Sequence, residues 1–483
     1  VNTESTGDIE DTGDTEDIED IEDTDVVVIG GGAVGENVAG RTVRGGLRTV
    51  LVERERLGGE CSYWACACIP SKALLRPGNA LAAARRVRGV LSEGGLDEQA
   101  VFRRRDAFVS HWDDGGQVRW AEDAGITVVR GTARLSGERE VTVEGRGVVR
   151  AAHAVVVCTG STPVIPRIPG IADVPVWTSR EATSASTVPE SLAVLGGGAV
   201  GVEMAQAWAR LGARVELLEV GDRLLSHLPG FAGEAVAEGL RADGVRVRLG
   251  TAVSRVAAEG GGVRIELDDG SRIAVKRLLV ATGREPATTG LGLETVGLAP
   301  GDRLRVDDTG LVSGVDGLWL YAAGDVTGRA PVTHQGKYAA RVVGDVVAAR
   351  ARGEHVRPEP WSGYAATADH RAATQVVFTD PEVASVGLPE PEHESHRAVD
   401  LDIAVAGAAL HADGYEGRAR LVVDTEREIV LGATFVGQDV AELLHAATVA
   451  IVGEVPLRRL WHAVPAFPTI SEIWLRLLEK YGL

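Results

Sequence analysis

Asp25-Val-Val-Val-Ile-Gly30-Gly31-Gly32-Ala33-Val34-Gly35 is the stretch that decides the fold. Four consecutive apolar residues between an acid and a glycine run read as a strand buried on both faces, as in a parallel sheet. The glycines turn the chain into a helix expected to reach about Arg44, and Thr49-Val-Leu-Val-Glu53 is the next strand, ending in an acid. The same unit recurs at Leu192-Ala-Val-Leu-Gly196-Gly197-Gly198-Ala199-Val200-Gly201, closed by Val215-Glu-Leu-Leu-Glu219. Glycine turn and terminal Glu are both displaced by 166 residues.

Each position in the unit has a physical purpose. Gly30 and Gly196 permit the tight turn, Gly32 and Gly198 let a pyrophosphate approach the backbone, and Gly35 and Gly201 allow close helix–strand packing. The helix N-terminus, beginning at Ala33 in the first copy, faces the phosphates, and Glu53 or Glu219 accepts hydrogen bonds from a ribose. Two complete copies predict two dinucleotide sites. Two further strand ends repeat, at Cys158-Thr159-Gly160-Ser161 and Ala281-Thr282-Gly283-Arg284, and a third apolar strand leads into Ala322-Ala-Gly324-Asp325. Gly160 and Gly283 allow backbone to approach a ligand, and Asp325 is placed to bind hydroxyls. Cys158 ends an apolar run and is expected in the core.

At 483 residues the chain has room for about three domains. The formal net charge is −19, which disfavours nucleic acid and anionic lipid as partners. Twelve acidic residues and no Lys or Arg fall in the first 25 positions, so residues 1–24 are expected to be a disordered acidic tail. No stretch approaches a membrane span and no signal peptide is recognisable, so no membrane partner is expected. Three of the four cysteines crowd one motif, unlike a secreted disulfide scaffold, which points to a cytoplasmic redox protein. No metal site is predicted.

That motif is Gly58-Gly59-Glu60-Cys61-Ser62-Tyr63-Trp64-Ala65-Cys66-Ala67-Cys68-Ile69-Pro70-Ser71-Lys72, which directly follows the first dinucleotide unit. With it, the chain from Asp25 to the C-terminus resembles the pyridine nucleotide-disulfide oxidoreductase family, the group of dihydrolipoamide dehydrogenase, glutathione reductase and mercuric reductase. The resemblance rests on the Gly-Gly-x-Cys entry, the Ile-Pro-Ser-Lys exit, both glycine units, both Thr-Gly turns and Ala-Gly-Asp325. Val377-Phe-Thr-Asp-Pro381-Glu-Val-Ala-Ser-Val-Gly387 resembles the opening of the family's dimerisation domain.

The resemblance implies an α/β fold with two Rossmann-like domains and a C-terminal α+β dimerisation domain, assembled as a homodimer. FAD would occupy the first unit, at Gly30, Gly32, Ala33, Gly35, Glu53, Thr159 and Gly160, with Asp325 on its ribityl chain. The nicotinamide nucleotide would occupy the second, at Gly196, Gly198, Gly201, Glu219 and Gly283. An acid at 219 repels a 2′-phosphate and favours NAD(H) over NADP(H), moderated by Arg214 and Arg223 nearby. Lys72 would approach the flavin and pair with Glu203, the counter-ion a buried Lys requires.

The family pattern separates its two redox cysteines by four residues and places the second four before the Lys. Here Cys61 and Cys66 have that gap, whereas Cys68 has the spacing to Lys72, which describes a two-residue insertion. Cys68 is the candidate flavin-facing thiolate at a helix N-terminus. A Cys61–Cys68 bond requires irregular backbone, a Cys61–Cys66 bond leaves the usual register, and a Cys66–Cys68 bond closes a small strained ring; the first is favoured, with Cys66 spare or exchanging. Near the C-terminus the family carries His-Pro-Thr-x-x-Glu. This chain has Phe467-Pro468-Thr469-Ile470-Ser471-Glu472, so Phe467 stands where the acid–base His belongs and Glu472 keeps the carboxylate with nothing to orient. His462 is a poor substitute, five residues earlier with Pro465 between; His334 is close in sequence to Asp325, where it could contribute or serve as a packing or hydrogen-bonding residue near the flavin. No Cys follows Cys158, so electrons leave from the Cys61/Cys66/Cys68 site or directly from the flavin.

The expected organisation is FAD binding over 25–160 and 283–355, nucleotide binding over 161–282 and dimerisation over 356–483, with Val356-Arg-Pro-Glu-Pro360 as linker. The expected function is an NADH-dependent FAD oxidoreductase acting on a disulfide or dithiol. The alternatives are a quinone reductase or diaphorase using the flavin alone, and a non-catalytic redox-sensing flavoprotein.

Overall fold

The computed structural model describes residues 23–59, 68–91 and 93–483. Most of the acidic segment, and Cys61 and Cys66, lie outside the described residues.

The first unit opens with β1 (Thr24–Ile29), α1 (Ala33–Arg44) and β2 (Thr49–Glu53). After α2 (Ile69–Arg85) come β3 (Ile126–Arg130), the pair β4 (Ala133–Gly137) and β5 (Glu140–Val143), and the long β6 (Gly147–Val157). The sheet order is β3-β2-β1-β6, all parallel, and the strand Leu320–Ala322 lies parallel to β6. The start of β6 turns aside to pair antiparallel with β5, which pairs with β4. Val26, Val27 and Val28 are fully buried, as a continuous β-branched run in a central parallel strand should be.

The second unit repeats the pattern as β7 (Ser191–Leu195), α3 (Ala199–Arg210) and β8 (Arg214–Leu218). Its parallel sheet runs Arg246–Arg248, β8, β7, Arg277–Val280 and Val176–Trp177. The chain passes between the two units through one antiparallel pair, Ser161–Pro163 against Arg284–Pro286. It then returns to the first unit as α4 (Thr333–Ala351), which packs along α1.

Residues 354–359 have no regular secondary structure. The rest of the chain forms a five-stranded antiparallel sheet with helices Leu444–Val452 and Ile473–Tyr481 against it. Phe435, Ala447, Ile473 and Leu477 lie at the centre of its core. The architecture is α/β, with two Rossmann-like units followed by an α+β domain.

Candidate active site

The two glycine turns are superposable in their local physics. Gly30 has φ +102° and Gly196 φ +106°, and a Cβ on either would fall 2.5 or 2.4 Å from the carbonyl oxygen of Cys158 or Ala281. A Cβ on Gly35 or Gly201 would lie 1.8 or 1.9 Å from the carbonyl oxygen of Gly30 or Gly196. By contrast, a Cβ on Gly32 or Gly198 meets nothing within 4 Å. Both residues cap their helix without a side-chain hydrogen bond, so first-turn N–H groups face that open space. This is a cradle for phosphate, with room left for the ligand on one side only.

The terminal acids are held alike. Glu53 accepts from Gly31 N and Glu55 N, both at 2.7 Å, and Glu219 accepts from Gly197 N at 2.5 Å and Gly221 N at 2.7 Å. Each oxygen keeps a second lone pair for a ribose hydroxyl. Gly30, Gly32, Ala33, Glu53, Thr159, Gly160 and Asp325 line one cleft. Asp325 accepts from Ser161 Oγ at 2.7 Å, and Ser161 in turn accepts from Arg284 Nε at 2.8 Å. Ser161 and Arg284 were not among the candidate residues, although each directly follows a repeated Thr-Gly. The residues at both cradles fit a dinucleotide.

Arg214 does not moderate the ribose site as the sequence suggested. It begins β8, whereas Glu219 follows the strand's other end, about 16 Å away at ~3.3 Å per residue. Its guanidinium pairs with Glu190 instead.

The sulfur end is built on α2. Cys68 caps that helix, and its Sγ lies 3.0 Å from Thr333 Oγ1. Thr333 lines the dinucleotide cleft, whereas Cys68 lines a separate cavity of about 590 Å³ on the exposed face of α2. The thiol therefore stands between two spaces. Four residues on, Lys72 Nζ donates to Glu203 Oε2 at 2.7 Å, and Glu203, only 2% exposed, accepts from Phe378 N at 3.0 Å on its other oxygen. The Phe378 ring lies 4.8 Å from the Lys72 ammonium. Lys72 is thus gripped from α3 and from the C-terminal domain at once, and neither Phe378 nor Thr333 carries a sequence signature for this role.

Below that clamp sits a second one. Asp380 is bonded by Arg86 and, at 2.8 Å, by Arg210; Arg210 also reaches Asp243 and Asn79. Burial raises the Asp380 pKa, but the two guanidiniums outweigh it and hold the carboxyl below its ordinary value. Cys158 is a buried core thiol pushed up to about 12 by desolvation.

The C-terminal motif is arranged differently from its sequence reading. Glu472 is 8% exposed and accepts from Arg476 Nη2 at 2.8 Å, so it has a partner four residues along the chain. Phe467 is 74% exposed, and neither residue lines the cavity in front of Cys68. His462 is exposed, and His334 Nε2 is bonded to Thr374 O at 2.8 Å. Among the described residues no cluster of His, Cys, Asp and Glu is placed to hold a metal, and no helix is long and apolar enough to cross a membrane.

The sequence model described as pyridine nucleotide-disulphide oxidoreductase matches residues 24–353, and that family's dimerisation domain matches residues 373–477. The chain belongs to this family. A dihydrolipoyl dehydrogenase of Haloferax volcanii is 32% identical over 477 residues, covering 95% of this chain and 96% of the relative. A mercuric reductase of Streptomyces lividans is 33% identical over 456 residues, covering 91% and 92%. Among solved structures, the HOCl-induced flavoprotein disulfide reductase RclA from Escherichia coli matches with a TM-score of 0.79 at 26% identity, covering 94% of this chain and 99% of that one. The protein is accordingly a flavin- and pyridine-nucleotide-dependent disulfide oxidoreductase, with FAD and NAD(P)H as its cofactors.

Proposed function

We propose that the protein carries reducing equivalents from NADH through FAD to a small disulfide, using a cysteine centre that includes Cys68. The contact of Cys68 with Thr333 carries this reading, because it sets one thiol between the dinucleotide cleft and a second cavity. Bound FAD supplies two-electron exchange between a pyridine nucleotide and sulfur. Gly30, Gly32, Ala33 and Gly35 shape its phosphate cradle, Glu53 holds the ribose, and Thr159, Gly160 and Asp325 hold the remainder. Gly196, Gly198, Gly201 and Gly283 shape the nicotinamide nucleotide site, where Glu219 selects NADH by repelling a 2′-phosphate. Lys72, clamped by Glu203, keeps a cation beside Cys68. The positive end of α2 favours negative charge on the Cys68 sulfur. Cys61 is its proposed partner and Cys66 exchanges or is spare.

The domain division follows: 25–160 with 283–355 for FAD, 161–282 for the nucleotide, 356–483 for homodimer formation, and an acidic tail over 1–24. A reducing compartment, the cytoplasm, suits the half-buried redox thiol.

A second reading, quinone reductase or diaphorase, is favoured by Phe467. That side chain cannot move a proton, Glu472 is engaged by Arg476, and general acid–base help is worth about 10²–10⁴-fold. Anaerobic NADH titration of the FAD-loaded protein separates the readings. Two equivalents taken up per FAD, with a long-wavelength charge-transfer band that Cys68→Ser abolishes, is the expected result. Uptake of one equivalent, with quinone turnover unaffected by Cys68→Ser, would leave the second reading. No flavin reduction at all would leave a redox-sensing role.

A further inference from the structure

A further cavity, of about 620 Å³, opens between α1, the helix Gly115–Asp123 and α4, and shares no residue with the dinucleotide cleft. Its lining is basic. Arg41, Arg44, Lys337 and Arg341 supply four cations against the single carboxyl of Glu36, and Trp120 adds a 45% exposed indole. Arg41 is held by Asp345. Arg44, Lys337 and Arg341 form no ion pair among the described residues. Glu36 is a weak competitor for them, because burial pushes its pKa to about 7. Three uncompensated cations thus surround one cavity in a chain whose formal net charge is −19.

The acidic segment enters the fold close to this cavity. Thr24 Oγ1 donates to Arg48 O at 2.9 Å, and Arg48 N donates to Asp25 at 2.8 Å, which ties the first described residues to Arg48. Arg48 is four residues from Arg44, at most ~14 Å by the reach of an extended chain. From Arg44 to Glu36 is about 12 Å along α1 at ~1.5 Å per residue. Residues 1–22 can span about 70 Å when extended, more than twice that path. They carry ten acids and no Lys or Arg, and Glu16-Asp17-Ile18-Glu19-Asp20-Ile21-Glu22 sets apolar residues between the acids.

We propose that the acidic segment 1–22 docks in this cavity, with its carboxylates on Arg44, Lys337 and Arg341 and with Ile18 and Ile21 beside the Trp120 ring. One exposed ion pair would not hold a chain in place, but a run of acids meeting three cations forms several at once. The covalent tether makes each contact intramolecular, so docking needs no high intrinsic affinity. The segment shields the cavity from other anions until salt or a tighter ligand displaces it.

Lysine is scarce enough to read this directly. Lys337 is one of four in the chain, and Lys276 and Lys480 are exposed in the second unit and the C-terminal domain. In full-length, FAD-loaded protein, zero-length carbodiimide coupling and peptide mass spectrometry should join Lys337 to acids within 1–22, leaving Lys276 and Lys480 unlinked to them. The link should vanish in R44E/R341E and in 1 M salt, where the screening length falls to ~3 Å. Acetylation of Lys337 should run about fivefold faster in a full-length variant with Asn or Gln at the ten acids of 1–22, with Lys276 and Lys480 unchanged. Links spread evenly over the three lysines, or a Lys337 rate unmoved by neutralising the segment, overturns the proposal. Protection of Lys337 by inorganic phosphate, equal in parent and neutralised protein, also overturns it, because the cavity would then take a free anion in place of the segment.

Discussion

The two dinucleotide units use the same cradle but carry their helix carboxylates on different faces. Gly30 and Gly196, Gly35 and Gly201, and Glu53 and Glu219 match within a few tenths of an ångström in their key contacts. The helices that follow do not match. Glu36 in α1 corresponds in register to Val202 in α3, so Glu203 is one residue, or about 100° of helix, further round. Glu36 is largely buried with Oε1 unbonded among the described residues, and desolvation, the largest influence, pushes its pKa to about 7. Glu203 is also a glutamate and is more deeply buried, yet both its oxygens are engaged. A single step in helix register separates a carboxyl with an unbonded oxygen from one that holds Lys72.

The largest expected effect comes from breaking the occupied side of that contrast. Glu203→Ala strands the Lys72 ammonium and the Phe378 N–H together, and should cost about 3–5 kcal/mol in urea unfolding. An equally large cost for Asn37→Ala, at the matching position in α1, would erase the distinction. Next come Gly30→Ala and Gly196→Ala, each forcing a Cβ at positive φ against a carbonyl. Each should destabilise by about 2–3 kcal/mol and by similar amounts, since the cradles match. A clear inequality would show that the units are less alike than their geometry.

Glu36→Gln should act in the opposite direction. The folded-state pKa of Glu36 lies above its ordinary 4.5, so its contribution to stability is full below that value and is lost as pH rises through about 7. At pH 8 the Gln variant should therefore be the more stable protein by about 1–3 kcal/mol, with parity restored near pH 4, as thermal melts across pH would report. The smallest expected change is in nucleotide choice. Glu219→Gln should raise the NADPH-to-NADH ratio of kcat/KM about five- to tenfold, whereas Arg214→Ala, at the far end of β8, should leave it within twofold.

The sequence made the cradles legible because strand, glycine turn and acid lie within thirty residues and each obeys a local rule. The fold class followed from seeing the unit twice. The contacts that complete the site were out of reach for a different reason. Cys68 and Thr333 are 265 residues apart, and a Thr hydroxyl beside a His draws no attention in a linear reading. Phe378 contributes a backbone N–H, which every residue but proline possesses. Arg214 misled because nearness in sequence becomes distance along an extended strand. Glu472 was read through the family motif, which looks back to position 467, while its partner Arg476 lies one helical turn ahead.

Lys72 is joined to Glu203 and, through it, to Phe378. During synthesis this lysine leaves the ribosome long before either partner does. Its ammonium acquires a carboxylate only when α3 is made, and that carboxylate is fixed only when the chain has passed Phe378. A prematurely ended polypeptide that still contains both glycine cradles consequently lacks an ordered lysine beside Cys68. The order of the chain thus leaves the Lys72–Glu203 pair to be completed by its last third.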